Sequence, residues 1–63
     1  MKITVQDALD VGVCTKGQRR FFTAHGLDYR RFVREGFDLS EFGEIEDDKL
    51  ALVVAHVRKK EGN

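Results

Sequence analysis

Few side chains in this sequence have the types and spacing that catalysis or metal binding requires. The chain contains one cysteine, Cys14, and two histidines, His25 and His56, none of which lie at a short interval from another. A zinc site of the usual kind needs three or four such ligands in closely spaced pairs. We therefore expect no metal ion, no cofactor and no enzymatic activity, and we interpret Cys14 as a small apolar residue in a reducing compartment.

The second half of the chain offers several carboxylates, which are the ligands that a calcium ion prefers. Glu44, Glu46, Asp47 and Asp48 follow closely on one another, but they lack the alternating oxygen ligands and the central glycine of a calcium-binding loop. We expect this segment to form a solvated acidic turn.

Charged residues are sorted along the chain into a basic block followed by an acidic block. Residues 15–34 contain six bases and one acid, a net charge of +5, whereas residues 35–48 contain seven acids and no base. The formal net charge of the whole chain is nevertheless +0. Such a separation either closes on itself in the folded domain or presents two opposite surfaces to partners. The bases of the first block are Lys16, Arg19, Arg20, Arg30, Arg31 and Arg34.

The last three arginines of the basic block are spaced as neighbours on a helix. Arg30 and Arg34 are four residues apart, and Arg31 and Arg34 are three apart, so like charges share one face. Each such pair costs roughly a few tenths of a kcal/mol. A DNA backbone or an acidic protein surface would favour this arrangement. The alternative, which the sequence leaves equally open, is that residues 41–48 fold across the arginines and neutralise them.

Apolar periodicity predicts three short helices in the first half of the chain, each opened by a capping side chain and closed by a glycine. Thr4 and Asp7 have the spacing of a capping box. The expected segments are a helix that starts after Thr4 and ends at Gly12, a helix over Lys16–His25 with Thr15 as N-cap and Gly26 as its stop, and a helix over Tyr29–Glu35 with Asp28 as N-cap and Gly36 as its stop.

The second half of the chain is expected to contain a loop and one longer helix. We predict that Phe37–Glu46 is a loop with one short helical turn capped by Ser40. The last helix should begin near Asp47 or Asp48, because acids are favoured at the positive end of the helix dipole. A strand over Ala51–Val57 is a minor alternative, because the valines there are β-branched.

These elements together predict an all-α fold, a compact single domain over residues 1–63 with four or five short helices. The N-terminal residues lack the apolar run of a signal peptide, and Leu50–Ala55 is too short to span a bilayer. We therefore expect a cytoplasmic protein of the host cell without membrane contact. The expected core consists of Val5, Leu9, Phe21 or Phe22, Phe32, Val33, Leu50, Val53, Val54 and Val57.

Part of the sequence resembles the helix-turn-helix of mercury-resistance-type regulators and phage excisionases. The similar residues are Val5–Leu9, Gly12–Thr15, Arg19–Phe22 and His25–Leu27. In those families a short helix and a Gly-Val turn precede a second helix that carries arginine and aromatic residues, ends in Gly-Leu and enters the major groove of DNA. The resemblance implies that DNA is faced by Lys16, Gln18, Arg19 and Arg20.

A longer part of the chain resembles a set of small uncharacterised proteins that tailed phages and prophages encode. The similar residues are Cys14–Phe22, His25–Tyr29, Phe32 and Gly36. This resemblance implies a phage origin and a short accessory protein, which would serve particle assembly as readily as gene control.

The sequence thus predicts a small non-enzymatic protein that acts by binding. One alternative to DNA binding is a structural or assembly protein of the phage particle, which would bind another phage protein or form a homo-oligomer and would reside in the virion. A weaker alternative is a host-directed inhibitor whose acidic block imitates DNA. In the leading hypothesis, an anionic partner such as DNA is contacted by Lys16, Gln18, Arg19, Arg20, Arg30, Arg31 and Arg34.

Overall fold

The computed structural model describes residues 1–62 and shows a mostly helical, compact domain with one small sheet. The sheet is antiparallel, and its register pairs Lys2 with Asp38 and Ile3 with Phe37. Within residues 1–62 the elements are, in chain order, β1 (Lys2–Ile3), α1 (Val5–Asp10), α2 (Thr15–Ala24), α3 (Tyr29–Glu35), β2 (Phe37–Asp38), a 3-10 helix (Leu39–Phe42) and α4 (Asp48–Gly62).

The sheet corrects the prediction of an all-α fold. Each strand has only two residues, and a strand of that length is too short to show the alternation of apolar and polar residues that predicts strands. Ile3 and Phe37 lie opposite each other in the sheet and are each 1% exposed. Burial of these two side chains against the helices, a tertiary effect, therefore accounts for the pairing better than local propensity does.

The first two helices begin close to where the sequence predicts. Thr4 is the N-cap of α1 and forms the predicted capping box with Asp7, because each backbone N–H donates to the side chain of the other residue. Helix α2 begins at Thr15, and its N-cap is Cys14, so the prediction that Thr15 is the N-cap is wrong. It ends at Ala24, one residue before the predicted end.

Helix α3 has the predicted cap and the predicted stop. The carboxylate of Asp28 accepts a hydrogen bond from the backbone N–H of Arg31 at 3.1 Å. Gly36 ends the helix with a φ of 77°. A Cβ atom at this position would lie 2.9 Å from the carbonyl oxygen of Ile3. Glycine is required here both by the left-handed backbone and by the close approach of β1.

The segment after α3 is more ordered than the predicted loop. It contains β2 and the expected single helical turn, but that 3-10 turn is capped by Asp38 rather than Ser40. Helix α4 begins at Asp48, and the carboxylate of Asp47 accepts hydrogen bonds from the backbone N–H groups of Lys49 and Leu50. The minor alternative of a strand over residues 51–57 is wrong. No helix in the described part of the chain is both long and apolar enough to cross a bilayer.

Aromatic rings fill the centre of the domain. The Phe22 ring lies 4.6 Å from that of Phe32 and 5.3 Å from that of Phe37, measured between centroids. The expected core is only partly correct, because Leu9 is 41% exposed and Val33 is 55% exposed. The buried apolar residues are Ile3, Ala8, Phe22, Phe32, Phe37, Phe42, Val53 and Val57. Rings bury more area than aliphatic side chains, which suits a domain this small.

Candidate functional site

The outer face of α2 carries three exposed basic side chains. Lys16, Arg19 and Arg20 occupy positions i, i+3 and i+4 of the helix, and all three are exposed. None of them forms an ion pair with another residue in 1–62. Together with Thr23 and Ala24 they line a shallow depression at the surface. We call Lys16, Arg19 and Arg20 the α2 basic face; their charge is available to a partner.

Gln18 lies on the opposite side of α2 from the basic face. It is 3% exposed, and its side-chain amide donates a hydrogen bond to the carbonyl oxygen of Val13 at 2.8 Å. Its side-chain oxygen accepts a hydrogen bond from the Tyr29 hydroxyl at 3.0 Å. Gln18 therefore ties the start of α2 to α3, and the expectation that it faces DNA is corrected by its burial.

Arg31 contacts other side chains of the domain. Its guanidinium forms an ion pair with Glu41 and lies 4.2 Å from the centre of the Phe37 ring. The hydrogen bond between the two side chains raises the pKa of Arg31 and lowers the pKa of Glu41. Because its guanidinium is already paired with Glu41 and stacked on Phe37, Arg31 differs from the exposed basic residues, whose charges are not engaged in this way.

Arg30 and Arg34 remain at the surface of α3. Both are exposed, and Arg30 forms no ion pair within residues 1–62. Arg34 approaches only its neighbour Glu35, at 3.5 Å. Burial raises the pKa of Tyr29, at the start of α3, and the charge of Arg19 partly offsets that effect. Arg30 and Arg34 are therefore a second group of exposed basic side chains, on α3.

The acidic segment, residues 41–48, does not fold across the basic block as a whole. Glu41 pairs with Arg31, but none of the other acids in 44–48 forms an ion pair with a described residue. Asp47 instead caps α4. Asp47 and Asp48 line an open groove with Arg20, so they face one end of the basic face without pairing with it. Most of the charge separation seen in the sequence therefore survives folding.

A second charged cluster, made of Asp7, Asp10, His56 and Lys60, joins α1 to α4. No spacing in the sequence predicts a partner for its histidine. The ring nitrogen Nε2 of His56 lies 3.1 Å from a carboxylate oxygen of Asp10. The ammonium of Lys60 lies 2.8 Å from Oδ1 of Asp7, whose side chain is only 4% exposed. The sequence indicates only that Asp7 and Asp10, three residues apart, share one helix face, and that His56 and Lys60, four residues apart, share another.

The carboxylates of this cluster titrate below their usual range. Burial raises the pKa of Asp7, but hydrogen bonds from Lys60 and Thr4 outweigh that effect and lower it. Hydrogen bonds from Gln6 and His56 lower the pKa of Asp10. Both carboxylates are therefore ionised at neutral pH, facing the imidazole and the ammonium of α4.

Cys14 lies exposed at the N-terminus of α2. Its thiol is exposed rather than packed among apolar side chains. Because it sits at the N-terminus of α2, the backbone N–H of Gly17, followed by that of Lys16, lowers the pKa of the thiol. A lowered pKa increases the fraction of thiolate at a given pH, so the exposed Cys14 differs from the small apolar residue that the sequence predicts.

Residues 11–14 connect α1 to α2. The turn is closed by a hydrogen bond of 3.0 Å from the backbone N–H of Val13 to the carbonyl oxygen of Ala8, and Gly12 adopts a φ of 87°. The second helix then presents the basic face to solvent. No protein-family model, curated protein or solved structure matches this chain.

Proposed function

We propose that this chain is a small, non-enzymatic binding protein of phage type that contacts duplex DNA through the outer face of α2. The observation that carries the proposal is the α2 basic face, whose three cations are exposed and form no ion pair within residues 1–62. A fold gains nothing from three unpaired like charges on one helix face, whereas a phosphate backbone does.

Arg30 and Arg34 of α3 are proposed as additional phosphate contacts. Both are exposed on α3. Gln18 and Arg31 are excluded from the contact set, because one is buried and the other is paired with Glu41. The proposal thus assigns phosphate contact to Lys16, Arg19, Arg20, Arg30 and Arg34.

The number of phosphates contacted sets the salt dependence of binding. Each contact contributes about −0.9 to the slope of log affinity against log salt concentration. Five contacts give a slope of roughly −4.5, and the double variant Arg19→Gln/Arg20→Gln should flatten it by roughly 1.8. Fluorescence anisotropy with a labelled DNA duplex, at several salt concentrations, measures both the affinity and the slope.

A matched control removes the same charge from another surface. Arg58 and Lys59 are exposed on α4, so Arg58→Gln/Lys59→Gln changes the net charge equally and should leave the slope unchanged. Equal loss of binding in the two double variants would show that only overall charge matters. Absence of binding by the wild-type chain at low salt would refute the proposal itself.

A protein–protein role is the second candidate, and the outer face of α4 favours it. Leu52 is 56% exposed, and Ala51 and Ala55 are exposed on the same side of the helix. Apolar side chains grouped at a surface are typical of contacts with another protein or a second copy. Sedimentation velocity at increasing protein concentration tests self-association. Leu52→Glu should abolish self-association, whereas Arg19→Gln/Arg20→Gln should not change it.

A further inference from the structure

The cluster between α1 and α4 brings together three side chains of metal-ligating type. A carboxylate oxygen of Asp7, a carboxylate oxygen of Asp10 and a ring nitrogen of His56 lie within 4.8 Å of one another. Bonds of about 2.0–2.2 Å to a zinc ion place tetrahedral ligand atoms roughly 3.4 Å apart. The three atoms lie somewhat farther apart than that, so binding an ion would draw them together.

The carboxylates are oriented by contacts that leave one oxygen of each facing α4. Oδ2 of Asp7 accepts hydrogen bonds from the backbone N–H and the hydroxyl of Thr4, at 2.9 and 3.0 Å. Oδ1 of Asp10 accepts one from the side-chain amide of Gln6 at 2.9 Å. The remaining oxygens, Oδ1 of Asp7 and Oδ2 of Asp10, face Lys60 and His56. Such supporting contacts are what fix ligands in metal sites.

A cation already occupies this position in the form of the Lys60 ammonium. Its nitrogen lies 2.8 Å from Oδ1 of Asp7. The Lys60 side chain is 55% exposed, whereas that of Asp7 is 4% exposed, so the carboxylate belongs to the fold and its cation is a mobile surface chain. An ion that replaces the ammonium needs only to turn Lys60 outward into solvent.

We propose that Asp7, Asp10 and His56 form a site for one divalent transition-metal ion, with Zn²⁺ as the representative, which competes with Lys60. Two carboxylate oxygens and one imidazole nitrogen suit this class of ion and leave a fourth position for water. Because the ligands come from both α1 and α4, the bound ion links the first helix to the last. This inference is independent of the proposed DNA contact.

Calorimetric titration of the full chain with ZnCl₂ tests the site. We expect one ion per chain, an affinity that falls at least about tenfold in His56→Gln, and no change in His25→Gln. Lys60→Met should tighten binding several-fold, because the competing ammonium is removed. Absence of Zn²⁺ binding by the wild-type chain, or an affinity that does not rise in Lys60→Met, would overturn the proposal.

Two further measurements keep the test decisive. Binding that disappears in Cys14→Ser would place the ion at the thiol and overturn the proposal, as would equal affinities for His56→Gln and His25→Gln. If His56→Gln does not fold, the imidazole proton signals of the wild-type chain are followed during Zn²⁺ addition. A shift of the His56 signals without a shift of the His25 signals supports the site, and the reverse pattern refutes it.

Discussion

Gln18 and Arg19 are adjacent in α2 but have opposite surroundings, so replacing each with alanine should have opposite effects. Gln18→Ala removes a hydrogen bond of 2.8 Å to the Val13 carbonyl and one of 3.0 Å from the Tyr29 hydroxyl. Each bond contributes about 0.5–1.5 kcal/mol, and more where a partner is left buried and unpaired. We expect the free energy of unfolding to fall by about 2 kcal/mol, which corresponds to roughly 10 °C in Tm for a domain of this size.

Urea unfolding followed by circular dichroism measures the change, and two variants calibrate it. Arg19→Ala should alter the free energy of unfolding by less than about 0.5 kcal/mol, because the side chain is exposed and forms no ion pair with a residue in 1–62. Tyr29→Phe removes only one of the two bonds and should cost about 1 kcal/mol. The combination of Gln18→Ala with Tyr29→Phe should cost less than the sum, since the two variants break a shared bond.

The opposite pattern would refute the buried position of Gln18. An unchanged urea midpoint for Gln18→Ala, together with weaker DNA binding, would place this amide at the surface with the basic residues. Additive costs in the double variant would show that Gln18 and Tyr29 do not contact each other. Either result would contradict the orientation of α2 in which Gln18 is buried and the basic face points outward.

Three other predictions concern the core, acid stability and the thiol. Phe32→Ala should cost about 3–5 kcal/mol in urea unfolding, whereas the adjacent exposed Val33→Ala should stay within about 0.5 kcal/mol; similar costs would contradict the burial of only one. The pKa of Asp7 is lowered and that of Asp38 is lowered to about 2 by hydrogen bonds from Ser40 and the N-terminus, so the stability they contribute is full above their unfolded pKa of about 3.9 and is lost as pH falls towards about 2. The urea midpoint should therefore fall between pH 4 and pH 2, and less steeply in Asp38→Asn. Cys14 should be alkylated by iodoacetamide with a pH midpoint below the value of about 8.5 for free cysteine, and Cys14→Ser should keep its DNA affinity.

Most features that depend on neighbouring residues could be predicted from the sequence, although the caps of α2 and of the 3-10 helix were each predicted at the wrong residue. The capping box of Thr4 and Asp7, the cap at Asp28 and the stop at Gly36 each involve atoms within a few residues of one another. Hydrogen bonds of this kind form in the same way in any fold that contains the helix. The mostly helical character followed from them.

Features that join distant parts of the chain could not be predicted in the same way. The pairing of Ile3 with Phe37 and the contact of Asp10 with His56 connect residues far apart in sequence. Neither has a local pattern, because two-residue strands show no period and a single histidine has no spacing. Phe21 and Phe22 are also indistinguishable locally, and tertiary packing against rings such as those of Phe32 and Phe37 places Phe22 in the core.

The charge separation that survives folding determines how the two proposed binding modes differ. The α2 basic face has no ion-pair partner in residues 1–62, and neither do Glu44 and Glu46, so the chain presents a basic and an acidic surface together. DNA binding through the α2 basic face would fall steeply with salt, whereas self-association through the apolar residues around Leu52 would not. The acidic segment repels DNA. Removing the charges of Glu44 and Glu46 therefore strengthens DNA binding and does not strengthen self-association through Leu52, and this difference separates the two modes.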